Sequence, residues 1–175
     1  MCGPFLIQDH GKGAAGRWSF FEPHPVRGFL DRTALDRLGE LAGHPVELGG
    51  GHAVTCRAAI RLLRERGVKI GMARLMWVRP FPSDDLRAAL RGVKAVGVVE
   101  TNLGLGGSTY GGILAPDVTT ALYHAANRPL VTSFMAGLGG ETVPAAEFDW
   151  MAGKLAQAIE RGAVEKPAHW AGFEE

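Results

Sequence analysis

Three apolar runs, each leading into glycine or proline and then a helical pattern, constrain the fold of this chain more than any other feature. Val68 to Val78 alternates at first and is then continuously apolar; Val93 to Glu100 carries Val96, Val98 and Val99; Leu130 to Ala136 is the third. Continuously apolar strands suit a parallel sheet covered on both faces. Around them, apolar residues return at helical spacing. Cys56, Ile60 and Leu63 form one stripe, Leu86 and Leu90 a second, Leu114, Val118, Ala121 and Leu122 a third, and Phe148, Met151, Leu155 and Ile159 a fourth. Strand and helix alternate at short intervals, which predicts an α/β fold with a mainly parallel sheet and right-handed crossovers.

The punctuation agrees. Gly67 and Gly92 stand where helices end, and Pro80 and Pro82 stop the first strand. Ser83 is placed to cap the next helix, with Asp84 and Asp85 in its first turn. Pro116 and Pro144 lie near the starts of the last two helices. Residues 1–51 give weaker signals: a Gly11–Gly16 loop, Pro23 and Pro25, a short helix over Asp31–Leu41 and a weak strand over Val46–Gly51. The chain therefore divides into a poorly defined N-terminal linker or degenerate segment, 1–51, and an α/β domain, 52–175. The tail beyond Gly162, with Trp170 and Phe173, reads as irregular.

At 175 residues the chain has room for one domain. Its 19 basic and 18 acidic side chains give a net charge of +1, with no basic footprint for nucleic acid and no pull toward anionic lipid. No apolar run approaches the roughly 20 residues that span a bilayer. The first residues, Met1 to Phe5, show no basic region leading into a long apolar stretch, so no signal peptide is expected. Two cysteines, Cys2 and Cys56, cannot build a disulfide framework or a four-thiolate cluster, and a cytoplasmic location is expected.

Glycine is abundant, 25 of 175, and clusters after the apolar runs. Glu100 ends a strand and leads through Thr101 and Asn102 into Gly104, Gly106 and Gly107. Open α/β sheets place ligands at such strand ends, where loop amides can cradle an anion. A turn whose amides are satisfied by Glu100 or Asn102 is the other reading, and strand-end loops are more often only connections. The pattern is neither G-x-G-x-x-G nor a Walker loop. Gly137, Gly139 and Gly140 form a second turn of this kind, with the same two readings. Arg79, before Pro80-Phe81-Pro82, suits a carboxylate partner or an internal salt bridge. His52 and Cys56 stand four residues apart, but no third ligand is near, so no metal site is expected. There is no G-x-S-x-G elbow, and no residue is assigned a catalytic role.

Taken together and in order, five segments carry a resemblance: Arg66-Gly67-Val68-Lys69-Ile70-Gly71, Arg79-Pro80-Phe81-Pro82, Val98-Val99-Glu100-Thr101-Asn102 with its glycine loop, Ala121-Leu122-Tyr123, and Ala136-Gly137-Leu138-Gly139-Gly140. This order and spacing resemble the end of the α subunit of pyruvate:ferredoxin (flavodoxin) and other 2-oxoacid:ferredoxin oxidoreductases, over about residues 52–173. The resemblance implies a three-layer α/β fold like the transketolase C-terminal domain, with helices on both faces. It also implies a whole enzyme that oxidatively decarboxylates a 2-oxo acid, with pyruvate the first expectation. That enzyme uses thiamine diphosphate, coenzyme A and iron–sulfur clusters, with ferredoxin or flavodoxin as electron partner. In the family those cofactors sit on other domains or subunits, so none is expected on this chain alone, and its partners are those domains or subunits. Residues 44–52 depart from the family, which normally has an apolar strand there. Two other readings stay open: a stand-alone module binding a phosphate-bearing ligand at the glycine loops, and a degenerate interaction domain.

Overall fold

The computed structural model describes residues 4–5, 44–45, 52–75, 78–104 and 111–172. In chain order these form β1 (Pro4–Phe5), β2 (His44–Pro45), α1 (His52–Glu65), β3 (Ile70–Gly71), β4 (Ala73–Arg74), α2 (Ser83–Ala89), β5 (Ala95–Glu100), α3 (Leu114–Leu122), β6 (Leu130–Met135), a 3-10 turn at Leu138–Gly140, α4 (Ala145–Arg161) and β7 (Ala168–Trp170). β5 and β6 pair in parallel from Ala95↔Leu130 to Glu100↔Met135, and β7 continues the sheet in parallel from Ser133↔Ala168 to Met135↔Trp170. β2 runs parallel to β3, and β1 antiparallel to β4. β5 also lies beside β1 and β2. Strands from residues 4–5 and 44–45 thus pair with strands of the 52–175 region.

Helices cover both faces, giving three layers. α1 and α4 pack on one side, where Cys56, Ile60, Leu63, Phe148, Met151 and Leu155 meet Val99 and Phe134 of the sheet. α2 and α3 pack on the other, where Leu86, Leu90, Leu114, Val118 and Leu122 meet Val96 and Val98. The two-residue alternation of a strand thus sends neighbouring valines of β5 into different cores. Each large apolar side chain buried there contributes about 1.5–3 kcal/mol. Every residue of β5 is buried, which is why its sequence reads as a continuous apolar run.

Several sequence expectations change in detail. The Val68–Val78 run is not one strand: β3 and β4 are separate short pieces with different partners, and residues 76–77 lie outside the described residues. Ser83 is the first helical residue of α2; the capping position is Pro82, and no side chain bonds to the cap. The tail forms β7, held by Ser133 N–H donating to Pro167 O (2.8 Å) and Ala171 N–H to Met135 O (2.8 Å). Three residues are too few to show a period, so pairing rather than pattern defines this strand. β5, β6 and β7 step across the sheet in one direction, yet α3 covers one face and α4 the other. The two connections therefore have opposite hands, and right-handedness holds for only one of them. The Gly11–Gly16 loop, the Asp31–Leu41 helix and the Val46–Gly51 strand lie outside the described residues.

Candidate functional site

The C-terminal ends of the strands carry the residues that sequence reasoning singled out. Glu100, the last residue of β5, is only 2% exposed. Its carboxylate turns to the start of α3. Oε1 accepts from the backbone N–H of Ile113 (2.8 Å) and Leu114 (2.7 Å), and Oε2 from that of Ala115 (3.1 Å). Asn102 Nδ2 donates to Oε1 (3.4 Å), while Asn102 Oδ1 accepts a second bond from Ile113 N–H (3.2 Å). The first amides of a helix have no partner within it and carry partial positive charge. Here a strand-end carboxylate from the preceding element supplies both the acceptor and the countercharge. Burial pushes the Glu100 carboxyl above the usual carboxylate range, while the amide bonds and Asn102 pull it back.

Gly112 makes this contact possible. A Cβ at Gly112 would fall inside the Glu100 carboxylate. At Gly111 (φ +85°) a Cβ would meet Met135 Sδ at 2.8 Å, so the returning loop presses against β6. Gly104 N–H donates to Gly111 O (2.6 Å), closing the loop at its base. Gly106 and Gly107 lie outside the described residues. Arg79 joins the same helix from another loop: Nη1 donates to Asp117 Oδ2 (2.8 Å), in the first turn of α3. The Arg79 side chain is 62% exposed, so this internal salt bridge is worth little on its own. At the far end, Arg87 Nη1 donates to Ala121 O (2.8 Å) and also pairs with Asp84. The structure thus brings Arg79, Glu100 and Asn102 together around one helix start.

The second turn stands apart from that cluster. Gly137 (φ +67°) follows β6, and a Cβ there would lie 2.6 Å from His52 Nε2 and 3.0 Å from the Glu141 carbonyl oxygen. Gly139 and Gly140 also have positive φ, with open space where a Cβ would point. The His52 ring therefore packs on this turn, while Cys56 points into the core, fully buried. Sequence reasoning weighed His52 only as a ligand and did not single out Gly111, Gly112 or Asp117. A glycine directly before a helix start, following a strand-end acid, is the signal that marks Gly112.

This geometry sets what the site can do. The amides that would cradle a phosphate at α3 already bond to Glu100, and the buried carboxylate repels an incoming anion. Among the described residues no group of three His, Cys, Asp or Glu side chains is placed to hold a metal ion. Cys56, the one cysteine among the described residues, is buried in the core, so these residues do not supply the thiolates of an iron–sulfur cluster. Among them, no helix is long and apolar enough to cross a membrane.

Comparison with known proteins places these residues in a familiar frame. The family described as pyruvate:ferredoxin oxidoreductase core domain II matches residues 46–148. The chain is similar to pyruvate synthase subunit PorA of Pyrococcus horikoshii, 36% identical over 124 residues, covering 71% of this chain and 31% of that protein. It is similar to ketoisovalerate oxidoreductase subunit VorA of Pyrococcus furiosus, 34% identical over 116 residues, covering 66% of this chain and 29% of that protein. PorA of Thermotoga maritima is 34% identical over 104 residues, covering 59% of this chain and 26% of that protein. The chain spans less than a third of the length of these relatives.

Proposed function

The chain belongs to the pyruvate:ferredoxin oxidoreductase core domain II family, and from that membership we propose that it serves as a structural part of the α subunit of a cytoplasmic 2-oxoacid:ferredoxin oxidoreductase. In this reading it contributes folding and subunit contacts. The chemistry, with thiamine diphosphate, iron–sulfur clusters, coenzyme A and exchange with ferredoxin or flavodoxin, belongs to other domains or subunits. The observation that carries the reading is the occupied start of α3. The strand-end position where an α/β domain would receive a ligand is filled by the chain's own Glu100. That arrangement favours a scaffold over a stand-alone phosphate-binding module.

The 2-oxo acid is set elsewhere in this reading. Relatives named for pyruvate and for ketoisovalerate match at similar identity, 36% and 34%, so this domain does not separate them. The test is to express the chain alone and together with the products of the genes beside its own. Each preparation is assayed for pyruvate- and ketoisovalerate-dependent reduction of methyl viologen with coenzyme A and thiamine diphosphate. The proposal expects no activity from the lone chain and co-purification with the neighbouring products. Turnover by the lone chain overturns it.

A further inference from the structure

Charge is sorted between the two ends of the β5–β6–β7 sheet, although the chain as a whole carries only +1. Where the strands stop, the described segments 79–85, 100–104, 111–117 and 136–147 hold Asp84, Asp85, Glu100, Asp117, Glu141 and Glu147 against Arg79. Most of these acids are already engaged: Asp84 by Arg87, Asp117 by Arg79, Glu100 by the amides of α3, and Glu147 by the Gly172 N–H (3.1 Å). Where the strands start, segments 90–94, 123–129 and 160–167 hold Arg91, Lys94, Arg128, Arg161 and Lys166 against Glu160 and Glu165. Glu165 is taken by Lys154 (3.0 Å) and Arg161 (3.8 Å). Arg91, Lys94 and Arg128 are exposed, and none of them has a carboxylate of the described residues within ion-pair distance. Arg128 lies instead over the Tyr123 ring, 5.4 Å from its centre.

A helix C-terminus accounts for Arg91, just past α2. It does not account for Lys94 and Arg128, which stand directly before β5 and just before β6. Leu130 N–H donates to Lys94 O (2.9 Å), so these two strands begin side by side and bring their cations together. Thr132 Oγ1 donates to Lys166 O (2.9 Å), which brings another exposed cation to the other flank of β6. Like charges beside one another on adjacent strands repel. The chain leaves that repulsion uncompensated, and an anionic partner would relieve it.

We propose that this strand-entry edge, through Arg91, Lys94 and Arg128, is the docking face for an acidic surface of a partner polypeptide. It goes beyond the assembly reading, since the charges alone carry it. Glu160 and Glu165 at the same edge repel a phosphate backbone or anionic headgroups, whereas a protein surface carries both signs and can match them. A second copy of this chain fits poorly, because its acidic end is largely neutralised within the chain and leaves Asp85 and Glu141.

The experiment uses the full chain alone and labelled poly-L-glutamate as the probe, followed by fluorescence anisotropy at about 50 mM salt. Lys94→Glu/Arg128→Glu tests the edge. Arg57→Glu/Arg79→Glu, exposed positions away from it, changes the net charge equally and serves as control. Each variant is first checked by circular dichroism and melting temperature; where glutamate unfolds the chain, glutamine replaces it in both pairs. The expected result is saturable binding by the unmodified chain, weakened at least ten-fold by the edge pair and less than three-fold by the control. Equal losses in both pairs overturn the docking face, as does an unmodified chain that does not bind. Tighter binding of duplex DNA or of phosphatidylserine vesicles, lost in the same edge pair, overturns the polypeptide occupant. A concentration-dependent dimer dispersed by Lys94→Glu/Arg128→Glu overturns it in favour of a second copy. The assembly reading stands or falls on its own co-expression assay, so the two failures are distinguishable.

Discussion

Replacing Gly112 by alanine tests the Glu100 clamp through a single methyl group. Gly112 is not among the positive-φ glycines, so alanine meets no backbone penalty there. The cost comes entirely from the new Cβ, which would fall inside the carboxylate. To admit it, Glu100 must leave the amides of Ile113, Leu114 and Ala115, the last two in buried residues. A hydrogen bond to a charged group is worth about 1.5–3 kcal/mol, and such bonds within one network do not add fully. Gly112→Ala is therefore expected to destabilise by about 2–4 kcal/mol, lowering the melting temperature by about 4–16 °C for a chain of this size. Glu100→Ala removes the same bonds and is expected to cost a similar amount. In the double variant the methyl group no longer meets a carboxylate, so adding Gly112→Ala to Glu100→Ala changes stability by less than about 1 kcal/mol. The coupling is then about 1–4 kcal/mol. Urea unfolding of the four proteins at unchanged m values measures it. Effects that add within about 0.5 kcal/mol would refute the clamp.

Further outcomes follow from neighbouring contacts. Burial raises the Glu100 carboxyl above its ordinary value of 4.5 by more than the amide bonds lower it. The native state then keeps this proton where the unfolded chain has released it. Stability from this group falls as pH rises from about 4.5 through the native value and levels off above it. Glu100→Gln should abolish that slope in urea titrations across pH, and equal slopes in both proteins contradict the assignment. Gly137→Ala should destabilise even when paired with His52→Ala, because its φ of +67° remains strained after the ring is removed; full rescue by His52→Ala in thermal melts would count against this. Arg79→Ala should cost less than about 1 kcal/mol by chemical denaturation, because the Arg79 side chain of its pair with Asp117 is largely exposed.

Much of the framework was legible in the residues because buried helices and central strands write their burial into composition. The stripe of Phe148, Met151 and Leu155 and the valines of β5 show it directly. Glu100 and Asn102 were also marked, since a polar pair between an apolar strand and glycines must satisfy something. What the sequence hid depends on partners distant along the chain. β7 exists because Ser133 and Met135 bond to it, and its three residues carry no period. The hand of the connection after β6 follows from α4 packing beside α1. Gly112 is one glycine among 25 until the carboxylate is placed beside it. Arg79 was open between an external carboxylate and an internal one until Asp117 was found at 2.8 Å.

The most direct test of the scaffold account is the activity of assembled enzyme containing Glu100→Gln, measured as 2-oxoacid-dependent viologen reduction per mole of complex. The account predicts less complex recovered, but the same turnover in what does assemble, because Glu100 holds the start of α3 and touches no reacting atom. A complex that forms at the normal yield and is inactive would contradict it and make Glu100 part of the chemistry.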